Sequence, residues 1–210
     1  MPAFSHALIA APAAFAILAL FSIVLGAARI VFRQGLLAGA CGYVAVQALW
    51  AASPHSPWVN LIFQLFPAPV AYETARLIFV LLVVKPPLAG KAAPFAFGFA
   101  LFVAFASLGA SVLADGVTIE GAAALPLLTL AMHALFSFAA FAMVRRGWPI
   151  FAPFTILAIA HGATRGGLLA IHDELARIVT EAALALAFGA LAFWLAKLDA
   201  LRQEDRRRLS

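Results

Sequence analysis

Ionisable side chains lie inside long apolar stretches of this sequence, where burying a charge is costly. Glu73 and Arg76 are three residues apart, and Arg177 and Glu181 are four apart, so each pair shares one face of a helix. A carboxylate in such a place is either neutralised by its arginine or able to bind and release a proton. The sequence leaves both roles open for Glu73 and for Glu181.

Two histidines occur in apolar stretches of the same kind. His161 precedes Arg165 by four residues, which places both on one helix face, and His133 lies in an earlier stretch. A buried imidazole is either a hydrogen-bonded packing residue or a proton relay that works near neutral pH, and both roles remain open here. The candidate proton-pathway residues are Glu73, Arg76, His133, His161, Arg165 and Glu181.

The sequence lacks the patterns of a metal site or of a common enzyme. Its 5 histidines include no pair four residues apart, and Cys41 is the single cysteine. Nucleophile elbows, phosphate-binding loops and dinucleotide-binding glycine patterns are also missing from the sequence. We therefore expect no metal, no cofactor and no catalytic centre in this chain.

The composition points to a membrane. Hydrophobic residues make up 65% of the 210 residues, and charged residues only 11%. Soluble domains carry about 25% charged residues, so an ordinary soluble enzyme and a disordered chain are both excluded. A chain of this composition is expected to be an integral membrane protein built from helices, because helices satisfy their own backbone hydrogen bonds in lipid.

Charged and proline-rich segments divide the chain into about seven apolar stretches, each close to the roughly 20 residues that a transmembrane helix requires. They are residues 7–30, 35–52, 58–84, 94–114, 122–144, 149–171 and 175–198. The expected fold is an all-α, polytopic membrane helix bundle, a single domain over residues 1–210 that ends in a basic tail at 199–210.

The third stretch, residues 58–84, contains Pro67 and Pro69. Each proline removes a backbone donor and restricts the residue before it. We expect a kink or break at residues 66–68, with a shorter piece towards the outer interface. A tolerated kink and a discontinuous helix beside a polar pathway are both compatible with the pattern.

Basic residues indicate the orientation. Of the 14 Lys and Arg residues, all except Arg76, Arg165 and Arg177 lie at the end of the first, third, fifth or seventh stretch or in the segment that follows it. The positive-inside rule then places the N-terminus outside and the C-terminus in the cytoplasm, in a membrane that we expect to be the bacterial inner membrane. Acidic residues interrupt the basic tail, so we expect contact with lipids and not with nucleic acid.

Two parts of the chain repeat one order of features: a span, a basic turn with glycine, a second span, an outer loop, and a third span that contains a glutamate. The first part is residues 7–84 with Glu73, and the second is residues 122–198 with Glu181. Residues 94–114 would connect them. The pattern suggests a duplicated three-helix unit with both copies in the same orientation.

A three-helix unit with a glutamate in its third helix resembles the small K-type subunit of complex I and the C-type subunit of Mrp antiporters. The whole chain resembles the E component of hydrogenase-4-type membrane arms, most closely at residues 128–135, 144–146 and 179–184. That family usually carries a glutamate in the span before the last, where this chain has His161 and Arg165.

The resemblance implies a non-catalytic membrane subunit of a complex-I-like, ion-translocating respiratory or hydrogenase-type assembly. Its partners would be other membrane-arm subunits, the antiporter-like chains. Buried ionisable residues would then contribute to a proton pathway. A stand-alone small transporter or channel, a purely structural subunit of a respiratory or photosynthetic complex, and a lipid-modifying membrane enzyme remain alternatives.

Overall fold

The computed structural model describes residues 29–53, 56–84, 89–115 and 119–209. Every regular element in these ranges is helical, and no strand occurs among them. This confirms the prediction of an all-α fold. Nearly all of the first predicted span, residues 7–30, lies outside the described residues.

The helices follow the predicted spans closely. In chain order they are α1 (Arg29–Ala51), α2 (Pro57–Leu65), α3 (Pro67–Ile78), α4 (Ala89–Asp115), α5 (Ile119–Arg145), α6 (Phe151–Leu169) and α7 (Glu174–Leu209). α1 begins before the predicted residue 35, and α7 continues through the predicted tail. The extension of α7 is rich in Leu, Arg, Gln and Glu, which are good helix formers.

Four stretches of the described chain are long and apolar enough to cross a membrane: Pro57–Val83, Gly90–Gly109, Pro126–Arg145 and Leu175–Leu195. They coincide with the third, fourth, fifth and seventh predicted spans. Helices of this kind are those of an integral membrane protein. The count of seven spans stays a prediction, and so does the duplicated unit, because its first copy includes residues outside the described part.

The predicted break in the third span is present between α2 and α3. At Phe66 the backbone leaves the helical conformation, with φ −134° and ψ −66°. Pro67 and Pro69 then occupy the first turn of α3, where backbone N–H groups have no partner within the helix. After α3 the chain widens into a π-helical turn, Phe79–Val83. The two prolines therefore start a new helix instead of kinking a continuous one.

Helices α1 and α4 cross at two glycines that face each other's backbones. A Cβ atom at Gly35 would collide with the carbonyl of Phe95, and one at Gly98 would collide with the carbonyl of Phe32. The crossing is therefore possible only because both positions lack a side chain. α5 packs along α4, and α3 packs against α1. The α1–α4 crossing therefore fixes the position of the helix on which α3 packs.

Replacing Gly98 by alanine is expected to destabilise the protein by about 1–3 kcal/mol, because the new methyl group forces two backbones apart. At Gly109, on the same helix, a Cβ atom would meet nothing within 4 Å. There, alanine should be neutral or stabilising by about 0.5–1 kcal/mol through its better helix propensity. Thermal unfolding of both variants in detergent measures the difference, and equal effects would contradict the close crossing.

Another glycine allows helix α6 to pack closely against the break in the third span. A Cβ atom at Gly162 would collide with the carbonyl of Leu65, the last residue of α2. α6 therefore packs directly on α2 and on α3. This contact brings His161, the neighbour of Gly162, to the first turns of α3.

Helix α7 forms one side of the bundle. The Asp173 side chain caps its first turn by accepting a hydrogen bond from the Ala176 N–H at 2.7 Å. α7 packs mainly on α5, and large side chains such as Leu186 and Phe193 remain exposed along it. In a membrane these side chains contact lipid or a neighbouring chain.

Candidate functional site

A cluster of polar side chains lies in the apolar interior of the bundle. It consists of Glu73 and Arg76 from α3, His133 and Ser137 from α5, and His161 from α6, and we call it the Glu73 cluster. Four of these side chains have no exposed surface, and His161 is 1% exposed. Buried charges persist only where they are paired and hydrogen-bonded, so the contacts within the cluster decide its state.

The Glu73 carboxylate has a different partner on each oxygen. Oε2 accepts a hydrogen bond from the Arg76 guanidinium one turn later on the same helix. Oε1 lies 3.1 Å from His161 Nδ1 on α6. The first partner is a permanent cation, whereas the second is a group that can gain or lose a proton.

The Arg76 guanidinium is held on three sides. Besides its ion pair with Glu73, its Nε donates to Ser137 Oγ at 3.1 Å, and its NH2 lies 2.8 Å from His133 Nδ1. Its central carbon lies 4.4 Å from the centre of the Phe99 ring, within cation–π range. α5 and α4 thus fix the cation that neutralises Glu73.

Aromatic rings surround the polar atoms of the cluster. The Tyr72 ring stacks on the His161 ring with centroids 5.5 Å apart, and it lies 5.0 Å from the His133 ring. The two imidazoles are 4.9 Å apart and nearly perpendicular. The rings exclude water from the ion pair and make the local dielectric low, which strengthens its electrostatic interactions.

The structure brings together four of the six residues that the sequence predicted. Glu73, Arg76, His133 and His161 form direct contacts, although they come from three helices. Sequence reasoning missed Ser137 and Tyr72. Ser137 lies one helical turn after His133, and its spacing of four residues was the available signal.

The other two predicted residues make their contacts beside the cluster. Arg165 NH2 donates to Thr129 Oγ1 at 3.3 Å, one turn before His133 on α5. Glu181 is 8% exposed, and its Oε1 lies 3.9 Å from Arg177 Nε. Arg165 interacts electrostatically with both His161 and Glu181. Arg165 thus interacts with one member of the Glu73 cluster and with the second buried carboxylate.

Replacing Glu181 by glutamine is expected to change the free energy of unfolding by less than about 1 kcal/mol, because its partner Arg177 is half exposed and distant. Thermal unfolding in detergent tests this expectation, with Glu73→Gln as the comparison, since that variant leaves a fully buried cation. Equal losses at both positions would show that Glu181 is held as tightly as Glu73.

The cluster offers hydrogen-bond chemistry and not metal chemistry. Among the described residues, no group of three His, Cys, Asp or Glu side chains converges to hold a metal ion. What the Glu73–His161 contact permits is movement of one proton. In one state an ionised Glu73 accepts from Nδ1–H of a doubly protonated His161. In the other state a protonated Glu73 donates to Nδ1 of a neutral His161, whose remaining proton is on Nε2.

Comparisons with protein-family models, with curated proteins and with solved structures find no match for this chain.

Proposed function

We propose that this protein moves protons in the membrane through Glu73 and His161, as a non-catalytic subunit of a complex-I-like, ion-translocating assembly. One observation carries the proposal. The fully buried Glu73 carboxylate has one oxygen on a permanent cation and the other oxygen 3.1 Å from a titratable imidazole. The carboxylate can therefore exchange a proton with His161 without losing its counter-charge.

A purely structural ion pair would need only Arg76. In that role, both carboxylate oxygens would be expected to face fixed donors, such as the guanidinium fork or backbone N–H groups. Instead, Oε1 faces the ring of His161, which is placed there by the Gly162 contact with α2. The contact between Glu73 Oε1 and a titratable imidazole on a second helix favours a role of Glu73 in proton transfer.

The proposed assembly comes from the resemblance to hydrogenase-4-type membrane arms. In such an assembly, redox chemistry in other subunits changes the charge near one buried group, and the next group along the membrane takes up or releases a proton. Arg165 and Glu181 would continue the path from the Glu73 cluster towards α7, whose exposed apolar side would contact lipids or an antiporter-like chain. The basic C-terminal end of α7 would lie in the cytoplasm.

A stand-alone proton transporter is the second candidate, and the broken helix favours it. Discontinuous helices with free backbone groups line ion sites in many transporters. Here the break at Phe66 lies two turns before Glu73, on the side of the cluster where α6 packs.

Affinity purification of the tagged full-length protein from its native membrane, followed by flux assays, separates the two candidates. The subunit proposal predicts co-purification with larger antiporter-like chains at a fixed ratio, and no proton flux from the protein alone in liposomes. Purification without partners, together with proton flux in liposomes, would support the transporter instead. Purification without partners and without proton flux in liposomes would contradict both candidates.

A further inference from the structure

We propose that His133 does not carry the moving proton and is a positioning residue, fixed by Arg76 in the tautomer with its proton on Nε2. This inference rests on the proposed function, because it states which of the two buried histidines transfers the proton. It divides the cluster into a transferring pair, Glu73 and His161, and a holding group, Arg76, His133 and Ser137.

The tautomer follows from the chemistry of the contact between Arg76 and His133. Arg76 NH2 lies 2.8 Å from His133 Nδ1. A guanidinium carries five N–H donors and no acceptor, and it stays protonated in proteins. His133 Nδ1 must therefore accept the hydrogen bond with its lone pair. The ring is neutral, and its single proton is on Nε2.

The holding group is closed around the guanidinium. Ser137 Oγ donates to the main-chain carbonyl of His133 at 2.8 Å, which leaves an oxygen lone pair to accept from Arg76 Nε at 3.1 Å. His133 and Ser137, one turn apart on α5, thus accept hydrogen bonds from two of the three guanidinium nitrogens, NH2 and Nε. The third nitrogen, NH1, donates to Glu73, so α5 fixes the position of the positive charge relative to the carboxylate.

A histidine that exchanges a proton needs, at one or both ring nitrogens, a neighbour that can give or take that proton. His133 Nδ1 faces a cation that does not release its proton. His133 Nε2 is buried, and no described residue offers it a hydrogen-bond partner. Its ring neighbours are Tyr72, Phe99 and His161, with centroids 5.0, 5.5 and 4.9 Å away. His161 differs, because its Nδ1 faces a carboxylate oxygen that can give or take a proton.

The charges around His133 also oppose a second proton on its ring. The titratable and charged groups that face it are Arg76 and Tyr72 from α3, and His161 and Arg165 from α6. An imidazolium there would set an N–H against the Arg76 N–H, with two positive charges in contact inside an apolar bundle. The contact would have to break, and Arg76 would lose its anchor.

Two amide variants test the assignment. Asparagine at position 133 can place Oδ1 close to the position of Nδ1 and accept from Arg76, whereas glutamine places its amide near Nε2. We expect His133→Asn to keep proton transfer within about threefold of the wild type, and His161→Asn to lower it by about 100-fold, the effect of losing an acid–base group. His133→Gln should lose both proton transfer and thermal stability. Loss of proton transfer in a stable His133→Asn protein would overturn the inference.

A measurement on the unaltered protein is independent of transport. Nitrogen NMR of the full-length protein, labelled at histidine and held in lipid nanodiscs, reports the proton positions on each ring. We expect His133 to stay neutral with its proton on Nε2 from about pH 5 to pH 8. A doubly protonated ring, or a proton on Nδ1, would overturn the inference even if transport is normal. The expected tautomer without any proton transfer would instead count against the proposed function alone.

Discussion

Replacing Arg76 by methionine is expected to destabilise the folded protein by about 3–5 kcal/mol, the cost of leaving a buried charge without its partner. Methionine keeps much of the packing volume between α3 and α5 but removes the guanidinium N–H groups that donate to Glu73, Ser137 and His133. The Glu73 carboxylate, with no exposed surface, would then have to take up a proton or lose its place in the bundle. Thermal or denaturant unfolding in detergent measures the loss.

Two further variants define the origin of this loss. Arg177→Met removes an arginine whose side chain is 45% exposed, and it should have little effect on stability. The double variant with Arg76→Met and Glu73→Gln removes both buried charges and should recover part of the lost stability, because no unpaired ion remains. If Arg76→Met costs no more than Arg177→Met, the ion pair does not hold the bundle together.

The second large effect concerns proton movement. Replacing Glu73 by glutamine is expected to lower proton transfer by about 10²–10⁴-fold, the usual contribution of one acid–base group. Glutamine still accepts a hydrogen bond from Arg76 but offers no exchangeable acidic proton to His161. Acidification of inverted membrane vesicles during turnover of the assembly, normalised to the amount of folded protein, is the appropriate readout.

Stability and proton transfer can be separated at this position. Glu73→Gln leaves Arg76 buried without a counter-charge, so some loss of folded protein is expected. The double variant with Arg76→Met should regain folded protein and still move no protons. Glu181→Gln serves as a matched control at the second buried carboxylate and should retain more transfer than Glu73→Gln. Normal transfer by folded Glu73→Gln protein would exclude Glu73 from the pathway.

The sequence predicted the parts of the site that depend on local spacing. The interval of three residues placed Glu73 and Arg76 on one helix face, and the structure pairs them. Pro67 and Pro69 predicted the break before them, because a residue without N–H belongs in the first turn of a helix. Membrane-length helical stretches followed from apolar runs between charged segments, as four described stretches confirm.

The convergence of three helices could not be predicted in this way. His161 lies 88 residues from Glu73 in the sequence, and their contact depends on how closely α6 can approach α2 at Gly162. His133 was a candidate relay on residue type alone, whereas its actual contact is with a cation on its Nδ1 side. Such roles depend on which ring nitrogen faces which neighbour, and that is set by helix crossing and not by spacing.

The difference between Glu73 and Glu181 also could not be predicted from the sequence. Both are glutamates in the last span of a predicted unit, with an arginine one turn away. Glu73 is held by two helices, whereas Glu181 has a distant partner on its own helix. The difference arises because α3 lies between α1 and α6, and α7 forms an edge of the described bundle.

Infrared difference spectroscopy of the lipid-embedded, full-length protein between about pH 5 and pH 8 tests the central claim most directly. The Glu73–His161 pair should take up a proton in this range. The spectrum should then show a carboxyl or imidazole band that shifts in deuterium oxide and disappears both in Glu73→Gln and in His161→Asn. A spectrum in which neither substitution removes any band would show that the pair is a fixed ion-pair network and would contradict the proposed proton transfer.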